Sequence, residues 1–414
     1  MSPGERVFFL PKETGRWARK FGQVIIEGEG RLDVHRWRAA LATLSACHPC
    51  ARLVLRGHLG FSRWDNSGPE PAVSEVFADW DGVDFERAPF LWRAPVDLRT
   101  GPLGEVVLIQ GTPPRVLMRV HHAVMDGMGA VTFVQDLFRV LRGERPRGAN
   151  STKSEIDIWR AADFGSGKMP PAPMDAMVPF EPRDGDPDAR FAWNRLRVPG
   201  PVPRLVPELA VGIAEHARSA RHGTVRIALF IDLRRHLPDG EITLANCTSM
   251  ILCDVAPDDT ARTVTVKMAG KLRDRTYLDM SRHIGIARWL PAALFKASPR
   301  AIRRMYQTGL FRASAFITHI GHFMPELYSY PGFRATGVIP MPTCDATTPL
   351  HVVICEGVDS VEIVTAAPAP LGGDGRLDRL ARGLQARLTR AHVDPAASRR
   401  QAGPLRDAGA LARS

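Results

Sequence analysis

The residues best placed to do chemistry lie in one short run, Val120-His121-His122-Ala123-Val124-Met125-Asp126-Gly127. A histidine at the end of a strand can turn one edge of its ring toward a cleft. Neutral imidazole can take a proton from an attacking hydroxyl or amine, because its unperturbed pKa is ~6.5. A positioned general base is worth about 10²–10⁴ in rate. His122 is read as that base. Asp126 suits a tight turn, either paired with a cation or capping the next helix. Gly127 is expected to allow a backbone conformation closed to other residues. Taken alone, a His-His pair is more often a satisfied polar pair at a strand end. As a metal site the spacing is poor: His121 and His122 point to opposite sides of a strand, and no second His/Cys pair stands downstream at ligand spacing.

The flanking sequence says how these residues are held. Leu103 to Ile109 and Arg115 to Val120 read as antiparallel strands across Gly111-Thr112-Pro113-Pro114. After Gly127, the residues Phe133, Val134, Leu137, Phe138 and Leu141 recur at helical spacing, and Gly143 is a good stop. Upstream, Gln23 to Gly28 reads as a strand. Val34, Trp37, Leu41 and Leu44 read as a helix with Asp33 as its N-cap, ending near His48-Pro49. Residues 1–150 form a first subdomain carrying the histidines. Residues 151–205 are rich in Pro and Gly without a clear period and read as a connection. A second subdomain, 206–393, repeats the same grammar. Its strands are expected at Thr224 to Ile231, at Thr243 to Val255 interrupted by Asn246, at Ser314 to His319, and as a hairpin of His351 to Glu356 with Val361 to Ala366. Helices are expected at Asp259 to Arg275 and Pro291 to Leu310, with a last one marked by Leu377, Leu380, Leu384 and Leu388. Residues 394–414 read as a disordered tail.

Composition narrows the function classes. The chain has 414 residues, 44% of them hydrophobic and 24% charged, which suits a globular protein of two domains. The net charge of +11 comes from scattered arginines with no run interleaved with aromatics, so nucleic-acid binding is not expected. The charge suits acidic partners such as coenzyme A phosphates or an acidic carrier protein. Six cysteines are too sparse for a disulfide scaffold. No signal peptide and no transmembrane run is recognised, so a cytoplasmic monomer is expected. Cys47-His48-Pro49-Cys50 closes a helix instead of opening one, which argues against a redox dithiol. Phe164-Gly165-Ser166-Gly167-Lys168 lacks the first glycine and the Ser/Thr of a phosphate loop.

His121 to Gly127 is an intact HHxxxDG, and with it the chain resembles the condensation-domain and chloramphenicol-acetyltransferase-like acyltransferase superfamily. The surroundings agree. Leu41 to Pro49 ahead of Arg52 resembles the family's first helix and its ending. Asp97-Leu98 with Gly101-Pro102-Leu103 resembles "DL..GPL". Ile231-Asp232-Leu233-Arg234 and then Asn246 resemble "VDLR…GN". Thr318-His319-Ile320-Gly321 resembles "SNxG". These stretches run in the family's order from about residue 5 to residue 365.

The resemblance implies an α/β fold: a two-domain pseudo-dimer of mixed sheets flanked by helices, with an active-site channel between the domains. It implies a freestanding acyltransferase, of the condensation or polyketide-associated type, that moves an acyl group from a thioester to a hydroxyl or amine without an acyl-enzyme. No bound cofactor is implied; acyl-CoA or a phosphopantetheinyl thioester on an acyl carrier protein is the cosubstrate, and a small molecule is the acceptor. His122 acts as base with His121 beside it. Asp126 is structural and pairs with an arginine, for which Arg234 is the matching position and Arg235 its neighbour. Backbone near Gly127 helps hold the oxyanion. Thr318, His319, Gly321 and Asn246 are channel or substrate candidates. His319 stands where the family has Asn, so His319 and His322 are candidates for polar acceptor recognition. An epimerase-like protein, or a non-catalytic member that docks a carrier protein, are the alternatives.

Overall fold

The computed structural model describes residues 2, 5, 8, 21–84, 87–91, 96–161, 173–281 and 298–393. The tail from 394 onward and part of the helix expected from Pro291 lie outside the described residues.

Two mixed sheets carry the molecule. The first orders its strands β13-β1-β6-β5-β4, with β1 at Phe21–Gly30, β4 at Ala72–Phe77, β5 at Gly104–Gln110, β6 at Arg115–His121 and β13 at Phe333–Met341. The second orders them β10-β9-β12-β14-β15-β8, with β8 at Phe191–Pro199, β9 at Val225–Asp232, β10 at Thr248–Val255, β12 at Ala315–His322, β14 at His351–Glu356 and β15 at Ser360–Pro368. Two short ribbons, β2 (Val54–Arg56) with β3 (Arg63–Asp65) and β7 (Ala176–Met177) with β11 (Leu310–Phe311), complete the strands among the described residues.

Helix α1 (Val34–Cys47) begins where Asp33 accepts the backbone N–H of His35 and Arg36. It packs with α2 (Gly127–Leu141) on the first sheet, around Trp37, Leu41, Phe133 and Phe138. After the short α3 (Glu155–Ala161), α4 (Leu205–Arg218) and α5 (Ala261–Arg273) cover the second sheet. Further on come α6 (Pro299–Thr308), the single turn α7 (Ala369–Gly372) and α8 (Arg376–Val393), which buries Leu377, Leu380, Leu384 and Leu388 against the same core. A third cluster sits at the seam between the halves, with Ile25, Trp80 and Ile339 on one side and Val364 and Trp193 on the other.

Three stretches depart from the sequence expectation, the first being the strand expected at Thr243 to Val255, which begins only at Thr248 and leaves Asn246 in a connecting segment. The connection at 151–205 contributes a full strand, β8, hydrogen-bonded along β15. Its alternating polar residues hid it, because Arg195 is buried there as an ion-pair partner. The region 206–393 does not keep to itself: β13 crosses to the first sheet and pairs antiparallel with β1. Gly332, Gly337 and Pro340 in and beside β13 weaken its strand signal.

Arg195 ties the seam. It donates to Glu27 of β1 at 2.5 Å and to Glu362 of β15 at 3.0 Å, while Arg115 of β6 holds the other Glu27 oxygen at 2.8 Å. All four side chains are largely buried, so losing the central cation leaves two carboxylates out of water with one remaining partner each, Arg115 on Glu27 and Arg197 at 3.5 Å on Glu362. Arg195→Met is expected to lower stability by about 3 kcal/mol in urea unfolding, whereas a loss within ~0.5 kcal/mol would mark the cluster as a solvated surface network.

Candidate functional site

Strand β6 is buried along its whole length, and its last residue sets the turn into α2. The His121 backbone N–H donates to Leu103 O at 2.7 Å. Its ring lies inside, edge-on to Phe21 at 5.3 Å between centroids, and its Nδ1 accepts the Ala123 N–H at 3.2 Å. His121 therefore shapes the turn. The chain's alternation sends His122 the other way, toward the second sheet.

His122 meets Asn246 there in a reciprocal pair. The Asn246 Nδ2 donates to the His122 carbonyl at 2.8 Å, and the Asn246 Oδ1 lies 3.1 Å from His122 Nδ1. An amide whose nitrogen is engaged by a carbonyl offers only its oxygen to the ring. Nδ1 must carry the hydrogen, and Nε2 is left with its lone pair. Burial pushes the His122 pKa below its ordinary 6.5, outweighing the opposing pull of the Asp126 charge. The result is a neutral imidazole in one tautomer. Phe8 stacks on its ring, with centroids 4.0 Å apart and planes 17° apart. Two surface hollows, one around Arg142 and Tyr330 and one around His216 and Arg376, lie away from this ring.

Asp126 is the anchor. Its Oδ1 caps α2 by accepting the Gly129 N–H at 2.8 Å, and Arg234 grips both of its oxygens, at 2.8 and 3.1 Å. The Cys247 N–H and the Thr248 hydroxyl add further bonds to Oδ2, each at 2.8 Å. Burial would raise the Asp126 pKa, but Arg234 and these donors hold it below the ordinary 3.8. Arg234 is itself pinned by the carbonyls of Thr243 and Ala245 and by Asp232. Arg235 instead lies over the Tyr277 ring at 4.9 Å, which settles the choice between the two arginines. The bonds from Arg234, Cys247 and Thr248 to Asp126 bring the 243–248 segment against the HHxxxDG turn, and that is what delivers Asn246 to His122.

The glycines divide differently from expectation. Gly127 is not among the residues of positive φ, and a Cβ there would meet only Ile320 Cγ2, at an ordinary 3.8 Å. Gly129 is the strict one. A Cβ there would sit 2.3 Å from Leu244 O, so only glycine lets α2 approach the 243–248 segment. The motif's spacing hints at Gly127; nothing local singles out Gly129.

Thr318 and His319 follow the alternation of β12 to opposite faces. His319 Nε2 binds Glu356 at 2.8 Å and its Nδ1 accepts the Gly321 N–H at 3.2 Å. Gly321 has φ 88°, in the left-handed region that favours glycine, and serves this turn. Thr318 binds a residue that the sequence reading left out. Its Oγ1 lies 2.9 Å from His351 Nε2, and His351 Nδ1 lies 2.5 Å from the Thr343 carbonyl. Burial pushes the His351 pKa down to about 4. Of the CxxC pair, burial pushes the Cys50 thiol up to about 12, so it stays protonated. Among the described residues, no group of three or more His, Cys, Asp and Glu side chains is arranged to hold a metal, and no helix is long and apolar enough to cross a membrane.

The fold is that of the condensation domains. The first condensation domain of the calcium-dependent antibiotic synthetase, solved with a substrate analogue, superposes with TM-score 0.63 at 14% identity over 92% of this chain and 93% of that one. The X-domain from teicoplanin biosynthesis gives 0.59 at 18% identity over 95% and 94%. Polyketide synthase associated protein 5 from Mycobacterium tuberculosis gives 0.57 at 14% over 92% and 95%. In sequence, the chain is 31% identical over 126 residues to the uncharacterized proteins Rv2305 and MT2362 of Mycobacterium tuberculosis, a match spanning 30% of this chain and 29% of theirs. No family model matches the chain.

Two outcomes test the site. Phe8→Ala is expected to move the His122 titration, tracked by NMR of the ring protons, up toward 6.5, because water then reaches the imidazole. An unmoved titration would show that Phe8 is no part of the screen. Arg234→Ala is expected to cost about 3–5 kcal/mol of stability near neutral pH by stranding a buried carboxylate. The Asp126 pKa is depressed in the folded state, so the stability it lends is present above its unfolded value and lost as pH falls through the folded one. The gap between wild type and Arg234→Ala should therefore close in acid.

Proposed function

We propose that this protein is an acyltransferase moving an acyl group from a thioester, on coenzyme A or on the phosphopantetheine of a carrier protein, to the hydroxyl or amine of a small acceptor. The observation that carries this reading is His122 itself. It is neutral, locked by Asn246 as the Nδ1–H tautomer, and therefore carries its lone pair on Nε2.

In the reaction, Nε2 takes the proton of the incoming nucleophile as that atom bonds to the thioester carbonyl carbon. Collapse of the tetrahedral intermediate breaks the C–S bond, and the proton passes from Nε2 to the departing sulfur. The products are the ester or amide and a free thiol. No residue is acylated. The backbone beside Gly127 is the proposed support for the oxyanion, and Asp126 with Arg234 holds the base in register. Neighbours named as condensation domains and as a polyketide synthase associated protein support the reading, as does a net charge of +11 that suits coenzyme A phosphates or an acidic carrier protein.

His122→Ala is expected to leave the fold intact and lower turnover by at least about 10²-fold with a panel of acyl thioesters and acceptors, read as products by mass spectrometry. Near-normal turnover in that variant would remove the assignment. Because the base must be neutral and its folded pKa is lowered, the acid limb of kcat/KM should fall below pH 6.5. A limb above that value would mean that another group titrates. Asn246→Ala is expected to cost about tenfold or more in kcat by freeing the tautomer. An unchanged kcat would show that the ring needs no such partner.

A further inference from the structure

Thr318 has a chemical property that its sequence position does not reveal. The Thr343 carbonyl beside His351 Nδ1 can only accept, so Nδ1 carries the hydrogen. Nε2 of the neutral ring then has only a lone pair, and the 2.9 Å contact must be the Thr318 hydroxyl donating to it. His351 is buried and stays neutral at physiological pH, so the direction of this bond does not reverse there. Thr318 Oγ1, its hydrogen committed, offers only lone pairs to whatever lies before it.

By the alternation of β12, Thr318 stands on the same side of the second sheet as Ile320. On that face, Ile320, one step along from Thr318, has its Cγ2 3.8 Å from where a Cβ on Gly127 would be. A charge on His122 would disfavour one on His351. Thr318 is half-buried. The neighbouring Phe230 and Phe316, ring-stacked at 6.0 Å and also half-buried, give this surface an apolar character in which one directed hydrogen bond counts for more than it would in water.

We propose that Thr318, with its hydroxyl hydrogen held by His351, is the hydrogen-bond acceptor that positions the incoming nucleophile opposite His122, and that the nucleophile it fits is a primary amine. The inference rests on the acyltransferase reading above. An amine brings two N–H hydrogens. As the C–N bond forms and the C–S bond breaks, His122 Nε2 takes one hydrogen and returns it to the leaving sulfur. The other stays on nitrogen throughout and is the one that Thr318 accepts. An alcohol has a single O–H, which His122 needs, and its oxygen would then face the Thr318 lone pairs with nothing to donate. His351 is a positioning residue in this scheme: it acts only by fixing where the threonine hydrogen points.

The test uses the full chain with acyl N-acetylcysteamine thioesters, and n-hexylamine against n-hexanol in direct competition. The uncatalysed background is taken from His122→Ala run in parallel. The expected His122-dependent product is the amide. Thr318→Val should lower kcat/KM for the amine by roughly 10- to 100-fold with the KM for the thioester unchanged, and Thr318→Ser should retain most of it. His351→Leu, which releases the threonine hydrogen, should collapse the amide-to-ester ratio, a readout that simple loss of structure would not move. His122-dependent ester without amide overturns this inference and leaves the acyltransferase reading standing. So does an amide rate indifferent to Thr318→Val. Transfer to neither acceptor overturns both. Should Thr318→Val fail to fold, the wild-type product ratio decides alone.

Discussion

The structure depends on one buried carboxylate. Asp126 caps α2 from within the first half and is gripped by Arg234, Cys247 and Thr248 from the second. A carboxylate with almost no exposure is tolerable only because every lone pair has a donor. The same bonds fix the segment that carries Asn246. His122 follows the last strand residue of β6 and Asn246 precedes β10, so the ring and the residue that sets its tautomer come from the two halves, and the Asp126 clamp holds those halves in register.

The clamp does not act alone. On the other flank of the seam, Arg195 joins Glu27 of the first sheet to Glu362 of the second. Strand β13 leaves the second half of the chain to pair with β1. Charge, backbone pairing and the apolar cluster around Trp80 and Trp193 therefore tie the halves at several points. Geometry between His122 and Asn246 needs tolerances of a few tenths of an ångström, and a seam tied at several points is the kind that supplies them.

Two histidines at this seam show how environment sorts one residue type into different tasks. His122 is kept neutral by burial, with Nδ1 held by Asn246 and a lone pair on Nε2. His351 is pushed down to about 4 by burial, has both nitrogens engaged, and fixes the direction of a neighbouring hydroxyl. His48, buried against Asp136 with Arg147 on the carboxylate's other oxygen, is a third case, an internal strut at the end of α1.

Much of this was legible in the sequence. The strand into His121, the amphipathic helix after Gly127 and the HHxxxDG run are local patterns, set by side-chain period and by spacing within a few residues. They pointed to the fold, to His122 and Asp126, and to Arg234 through its position in a second motif. Other features were not local. That β8 is a strand of the second sheet, and that β13 belongs to the first, depends on partners far along the chain. Gly129 owes its necessity to Leu244, and Asn246 its place beside the ring to the Asp126 clamp. The role of His351 comes from Thr318 and Thr343 on either side of it. Hydrogen-bond direction and burial are properties of what surrounds a residue, and only the folded chain decides what those surroundings are.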